Sequence, residues 1–211
     1  MTALAAPFAG DGVGGGMPGA RLSVARSEFI LGGQKSGKSR RAEMLARTWM
    51  EDSGAHRAVL IATGRAWDDE MRERIARHQR ERAVRVPGME TLEEPLDVAG
   101  ALARCSQAGT LVVVDCLTLW LTQWLMPLPE APPPGDFEPQ CRAFLEAVRQ
   151  APGPVVVVGN EIGLGVIPLG REVRTFVDAL GRLNQRTAGA CARVTLMAAG
   201  LPLALKEAPQ P

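Results

Sequence analysis

The residues best suited to chemistry lie in a glycine-rich stretch, Gly32-x-x-x-x-Gly37-Lys38-Ser39, which follows apolar residues 29–31 and precedes helix-forming residues. This spacing between a strand and a helix is typical of a loop that binds the phosphates of a nucleoside triphosphate. The glycines let successive backbone N–H groups face the phosphates, and the next helix adds its own unpaired donors. Lys38 is predicted to reach the β and γ phosphates, and Ser39 to bind Mg²⁺. A glycine-rich turn without a ligand is the alternative.

A carboxylate follows the apolar run 111–114, because Asp115 stands where a buried strand is predicted to end. In phosphate-loop enzymes an acidic residue at the end of a neighbouring strand helps to hold Mg²⁺. Asp115 is therefore predicted to share the metal with Ser39. An aspartate in this position also commonly caps a helix, which is the alternative interpretation.

A third candidate is His78, within a segment that begins with acidic residues and becomes rich in arginine, the charge order that favours a helix. Met71, Ile75 and His78 share one helix face, so the imidazole points with the apolar stripe. From the residues alone, His78 is either a structural histidine or a reactive group beside a polyphosphate. The arginines that suit such a polyphosphate are Arg77, Arg80 and Arg82.

Short aliphatic runs alternate with longer segments of helical period from residue 29 onward, which predicts an α/β fold with a mostly parallel sheet flanked by helices. Strands are expected near residues 28–31, 58–62, 83–86, 110–114, 154–159, 193–198 and 202–205. Helices are expected near residues 38–52, 68–82, 94–107, 116–126, 136–150 and 170–190.

The 211 residues fit one domain, predicted over 28–211, after an extension over 1–27 that is predicted to be disordered. A net charge of +1 gives no general attraction to nucleic acid or an anionic membrane. No apolar run is long enough for a membrane helix, and the scattered cysteines suggest reduced thiols, so a soluble, cytoplasmic protein is expected. Prolines crowd residues 127–139 and predict a surface loop.

Several classes of phosphate-loop protein are compatible with these features. A switch GTPase is disfavoured because the chain has no Asn-Lys-x-Asp segment for reading guanine. A small-molecule kinase remains open. So does a nucleotide-dependent binding module or assembly ATPase without a small-molecule acceptor.

The chain resembles the bifunctional adenosylcobinamide kinase / adenosylcobinamide-phosphate guanylyltransferases of cobalamin biosynthesis, over about residues 28–206. The blocks that carry the resemblance occur in order at 32–40, 61–63, 68–78, 93–97, 114–121, 160–168 and 181–185. The last two read Asn-Glu-Ile-Gly-Leu-Gly-Val-Ile-Pro and Gly-Arg-Leu-Asn-Gln. The resemblance implies a P-loop NTPase fold of the RecA-like type.

The resemblance implies two reactions. ATP or GTP phosphorylates the hydroxyl of adenosylcobinamide, and GMP is then transferred from GTP to that phosphate through a GMP–histidine adduct. The histidine corresponds to His78, with Lys38 as the other catalytic residue and Ser39 and Asp115 at Mg²⁺. A monofunctional kinase for another small alcohol, with a structural His78, is the alternative.

Family position also implies a set of nucleotide-binding residues. Among them Glu93 has two nearby competitors, Glu90 and Glu94. Family members are trimers, so a homo-oligomer is expected. The implied nucleotide-binding set is Gly32, Gly33, Gln34, Lys35, Ser36, Gly37, Lys38, Ser39, Ala62, Thr63, Gly64, Gln79, Arg80, Glu81, Arg82, Glu93 and Asp115.

Overall fold

The computed structural model describes residues 22–128, 130–166 and 168–208. Within these ranges the chain forms seven strands and six helices. The strands are β1 Ser27–Gly32, β2 Arg57–Ala62, β3 Glu90–Glu93, β4 Thr110–Asp115, β5 Val155–Val158, β6 Arg193–Ala198 and β7 Leu201–Lys206. The helices are α1 Lys38–Asp52, α2 Asp69–Arg85, α3 Val98–Cys105, α4 Leu117–Leu125, α5 Phe137–Gln150 and α6 Arg171–Ala190.

The strands form one sheet in the order β3-β2-β4-β5-β1-β6-β7. All neighbouring pairs are parallel except β6 with β7, which are antiparallel. The mostly parallel α/β architecture is as predicted. Because the parallel strands run the same way, the residues that follow β1, β2, β3, β4 and β5 all emerge at one edge, where ligands of such sheets bind.

Both faces of the sheet are buried under helices, as expected for parallel strands of aliphatic residues. On one face α3, α4, α5 and α6 pack around Trp120 and Phe144, which are fully buried. On the other face α1 packs its residues Ala42, Leu45 and Ala46 against the sheet. The central strands are thereby held rigidly at the ligand-binding edge.

Helix α2 is attached differently. Of its residues only Arg82 is buried, so little apolar burial holds the helix to the domain. Its last turn is attached by polar contacts, since Arg82 donates to Thr91 Oγ1 at 3.0 Å and Arg85 forms an ion pair with the buried Glu43 of α1.

The strand predicted at residues 83–86 is wrong. Residues 83–85 complete α2, Val86 follows as its C-terminal cap, and the third strand is Glu90–Glu93. The short apolar run does not distinguish a strand from a helix turn, and only a continued helix gives Arg85 its position beside Glu43. The chain then turns at Gly88, whose φ is 85°.

Helix α3 begins later than the predicted residue 94. The Glu94 carboxylate accepts hydrogen bonds from the backbone N–H groups of Leu96 and Asp97, which forms a turn, and Asp97 then caps the helix by accepting from Gly100 N at 2.9 Å. A cap of this kind defines the first helical residue.

Residues just before position 28 contact the rest of the chain. Ser27 is the first residue of β1, Ala25 is buried, and Arg193 donates to the carbonyl oxygen of Ser23 at 2.7 Å. Residues 1–21 of the predicted extension lie outside the described residues. In the described part of the chain, no helix has both the length and the apolar character needed to span a membrane.

Candidate active site

The predicted phosphate loop, residues 32–39, joins β1 to α1 at the carboxyl edge of the sheet. Gly32 and Gly37 have φ angles of 152° and 100°, in the region that favours glycine. A Cβ on Gly32 would lie only 2.4 Å from the carbonyl oxygen of Met197. The backbone path of the loop therefore requires glycine at these positions.

The remaining loop residues differ in exposure. Gly33, Gln34 and Lys35 are exposed, whereas Ser36 is buried. Ser36 Oγ has no hydrogen-bond partner among the described residues. Because buried hydroxyls are normally satisfied, this group is suited to donate to a phosphate oxygen.

Lys38 is buried at the start of α1, and its ammonium donates to the carbonyl oxygen of Gly33 at 2.6 Å. Burial lowers the pKa of Lys38, and the nearby Asp115 opposes that effect. Burial also raises the pKa of the Cys116 thiol to about 12, so this neighbour is neutral near pH 7. The ammonium thus lies inside the loop, where a polyphosphate needs a compensating charge.

Ser39 and Asp115 meet across the sheet edge, with Ser39 Oγ donating to Asp115 Oδ2 at 2.8 Å. Burial raises the pKa of Asp115, while the bond from Ser39 and the charges of His78, Lys38 and Arg82 oppose the rise. A hydroxyl and a carboxylate oxygen are the hard ligands that Mg²⁺ accepts alongside phosphate oxygens and water. No group of three or more His, Cys, Asp and Glu side chains within the described ranges is arranged to hold a metal. The site therefore fits a Mg²⁺ that arrives with its nucleotide.

Thr63, one of the predicted nucleotide-binding residues, is fully buried. Its hydroxyl donates to the carbonyl oxygen of Cys116 at 2.7 Å and accepts from Cys116 N–H at 2.9 Å, and its own N–H donates to the carbonyl oxygen of Asp115 at 3.1 Å. These three bonds fix the backbone that carries Asp115. Its neighbours complete the same edge: Ala62 pairs with Asp115 in the sheet register, and Gly64 lies against Leu119.

The inner face of α2 carries Arg74, His78 and Arg82, which are spaced four residues apart and therefore lie in one row. His78 is half-buried. Burial lowers its pKa, with an opposing effect from Asp115. Near neutral pH the imidazole is therefore predominantly the neutral, nucleophilic form.

The four residues after His78 that were predicted to bind nucleotide differ in burial and direction. Arg82 is buried and electrostatically coupled to Asp115. Gln79, Arg80 and Glu81 are exposed on the other faces of α2, and Glu81 forms an ion pair with Arg85. Only Arg82 of these four is directed into the site.

The structure separates the three candidate glutamates at β3. Glu90 begins the strand, so it lies at the amino edge, opposite the phosphate loop. Glu94 has its carboxylate engaged in the turn before α3. Glu93 ends the strand at the carboxyl edge, and its exposed carboxylate forms no hydrogen bond or ion pair with the described residues.

Arg74 lies in the same row as His78 and was not among the site residues predicted from the sequence. It is half-buried, lowers the pKa of both Lys38 and His78, and forms no hydrogen bond or ion pair with the described residues. Its position four residues before His78 was a usable signal. The sequence prediction followed the apolar stripe and the later arginines instead.

A glycine-built loop with a buried lysine and a paired serine and aspartate defines the class: a P-loop enzyme that binds nucleoside triphosphates. Residues 28–205 match the family model described as cobinamide kinase / cobinamide phosphate guanyltransferase. The chain belongs to this family, whose members act on a corrinoid and a nucleotide. The resemblance inferred from the sequence is confirmed.

Three relatives agree with this assignment. The bifunctional adenosylcobalamin biosynthesis protein CobP of Pseudomonas aeruginosa is 46% identical over 86% of this chain and 98% of its own length. The corresponding CobU proteins of Escherichia coli and Salmonella typhimurium are 30% and 31% identical over 84% of this chain and 98% of their own lengths.

Replacement of Thr63 tests its role in holding Asp115. Thr63→Val leaves the buried N–H of Cys116 without its partner and removes one bond to the Cys116 carbonyl oxygen, which still accepts from Trp120 N–H at 3.1 Å. We therefore expect the free energy of unfolding in urea to fall by about 2 kcal/mol. Thr63→Ser keeps the hydroxyl and is the control. If Thr63→Val is as stable as Thr63→Ser, the two hydrogen bonds of the Thr63 hydroxyl do not hold this backbone.

Proposed function

We propose that the protein phosphorylates adenosylcobinamide with ATP or GTP and then transfers GMP from GTP to the new phosphate, through a GMP adduct of His78. The observation that carries the proposal is a half-buried His78 whose charge interacts with that of Asp115, the residue hydrogen-bonded to Ser39 of the phosphate loop. A neutral imidazole at that position suits attack on a bound triphosphate.

The kinase step needs only the loop. Lys38 balances charge on the β and γ phosphates, and Ser39 with Asp115 would hold Mg²⁺, which neutralises charge as the phosphoryl group moves. The acceptor hydroxyl attacks the γ-phosphorus, the bond to the β-phosphate oxygen breaks, and the hydroxyl proton is lost to solvent or a nearby base. His78 takes no part in this step.

The guanylyl step uses His78 as a nucleophile. A ring nitrogen attacks the α-phosphorus of GTP, and the bond to the β-phosphate oxygen breaks to release pyrophosphate. A phosphate oxygen of adenosylcobinamide phosphate then attacks the same phosphorus, and the phosphorus–nitrogen bond breaks to return the imidazole. The products are adenosyl-GDP-cobinamide and free enzyme.

Two further residues have roles in this step. Among Glu90, Glu93 and Glu94, only Glu93 has a carboxylate available to a nucleotide base at the edge of the site. A carboxylate suits the N–H donors of guanine. Arg74 is a cation that acts electrostatically on Lys38 and His78, and it has no carboxylate partner among the described residues. We assign it to the charge that develops on the α-phosphate and departing pyrophosphate.

Covalent labelling tests the histidine. After incubation with α-labelled GTP and Mg²⁺, we expect the protein to retain an acid-labile, base-stable label, as phosphoramidates do, and His78→Ala to retain none. His56→Gln is the matched control, because His56 is the only other histidine in the sequence. It precedes β2 at the opposite edge of the sheet and stacks on Trp49. His78→Ala is expected to keep the kinase activity.

Two results would contradict this account. Label in His78→Ala, or none in the unaltered protein, removes the guanylyl step and leaves a monofunctional kinase with a structural His78. Loss of kinase activity in a folded His78→Ala variant contradicts the separation of the two steps.

Replacement of Arg74 tests the charge assignment. Arg74→Gln is expected to slow formation of the GMP adduct at saturating GTP by about a hundredfold, with part of the rate restored in Arg74→Lys. Arg72→Gln is the control, since Arg72 is exposed on the same helix and pairs with Asp69. Equal rates in Arg74→Gln and Arg72→Gln would remove Arg74 from the reaction.

We propose that the protein is a cytoplasmic homo-oligomer, a trimer as in its family. In support, the edge strand β7 exposes Leu201, Leu203 and Leu205 at 57%, 57% and 56%, and a large exposed apolar surface is typical of an interface. The four cysteines of the protein are free thiols, as in a reducing compartment.

Light scattering should give three times the chain mass of 22.5 kDa, and Leu203→Glu should lower the measured mass. A monomeric unaltered protein would contradict the trimer.

A further inference from the structure

An open pocket of about 550 Å³ lies between the segment that follows β5 and one face of α6. None of the nucleotide-binding residues named above lines this pocket. Apolar groups on its β5 side include Ile162, Val166 and Pro168. Its α6 side combines Val177 and Gly181 with the polar side chains of Asp178, Arg182 and Gln185.

The sheet order places the start of this segment beside the phosphate loop. Strand β5 lies between β1, which leads into the phosphate loop, and β4, which ends at Asp115. The segment after β5 therefore emerges between Lys38 and Ser39 on one side and Asp115 on the other. That is the region where the terminal phosphate meets its acceptor.

Hydrogen bonds attach the start of this segment to three parts of the site. Glu161 N–H donates to the carbonyl oxygen of Gly32 at 3.2 Å, and Asn160 N–H donates to Thr118 Oγ1 at 3.2 Å. Asn184 of α6 donates through Nδ2 to the carbonyl oxygen of Asn160 at 3.0 Å. The inner end of the pocket is thus joined to the phosphate loop and to α6.

The outer part of the same segment exposes large apolar side chains. Leu164, Val166 and Leu169 are 81%, 96% and 97% exposed. Apolar residues grouped in this way mark a surface that a partner covers. The polar side chains of α6 border it with a guanidinium, a carboxylate and an amide, which can bond amide groups in either direction.

We propose that this pocket is the acceptor subsite, and that it takes the corrinoid ring of adenosylcobinamide. The inference rests on the proposed function. A corrinoid combines an apolar macrocycle with peripheral amide arms, which matches an apolar floor edged by Asp178, Arg182 and Gln185. The macrocycle is bulky, so it lies outside the loop while its hydroxyl arm extends inward along residues 160–161 to the γ-phosphate.

Gly181 allows a sharp test, because a Cβ added there meets no atom within 4 Å. Gly181→Phe fills the pocket from α6 without a clash, and replacing a helical glycine does not lower helix propensity. Gly189→Phe is the matched control, since it lies on the same helix, also has open space for a Cβ, and does not line the pocket.

The expected result is a selective defect toward the acceptor. In Gly181→Phe the KM for adenosylcobinamide in the kinase assay rises by at least about tenfold, as expected when ground-state binding is lost. The rate at which GTP labels the enzyme stays equal to that of Gly189→Phe. Arg182→Ala, at an exposed position where folding is not at risk, raises the same KM by a smaller factor.

Three results would overturn the subsite. One is an unchanged KM in both Gly181→Phe and Arg182→Ala. Another is equal slowing of GTP labelling, which would assign the pocket to the nucleotide. The third is a change of oligomeric state in Gly181→Phe alone, which would make this face a subunit contact. Failure of the unaltered protein to form a GMP adduct contradicts only the guanylyl step, since the KM comparison uses the kinase reaction.

Discussion

The hydrogen bond from Ser39 to Asp115, 2.8 Å long, connects the phosphate loop after β1 with the end of β4. The rest of the proposed site depends on this contact, because it brings together the two residues to which we assign the metal of a bound triphosphate. Buried aliphatic strands hold the two ends, and Thr63 fixes the backbone on the Asp115 side. With a net charge of only +1, the chain must bind its anionic substrates through such local geometry.

Helix α2 carries His78, the residue to which we assign the second chemistry. It is attached mainly through Arg82, Arg85 and the buried Glu43 of α1, while the row containing Arg74 and His78 faces the loop. A helix that carries its reactive groups on one charged face can serve a phosphate site without contributing to the domain core. This arrangement explains how one triphosphate site could support two transfers, at the γ-phosphorus from the loop and at the α-phosphorus from the helix.

Short-range patterns were sufficient to predict the phosphate loop, Asp115 and the α/β class, because glycine spacing and buried aliphatic runs are local properties. The third strand was misplaced, since residues 83–86 have no period that separates a strand from a helix end, and the ion pair between Arg85 and Glu43 decides the outcome. Thr63 and the choice among the three glutamates also depend on contacts between distant segments. Helical spacing alone places Arg74, four residues before His78, on the same helix face. A pattern that counts only apolar residues does not include it.

The central claim is that a triphosphate on the loop places its α-phosphorus within reach of His78. A crystal structure of the protein after reaction with GTP and Mg²⁺ tests it most directly. The account predicts a covalent bond between a ring nitrogen of His78 and the phosphorus of GMP, with Glu93 near the guanine. GTP bound intact on the loop, with an unmodified His78 directed away from the α-phosphate and no label on the protein in solution, would contradict it.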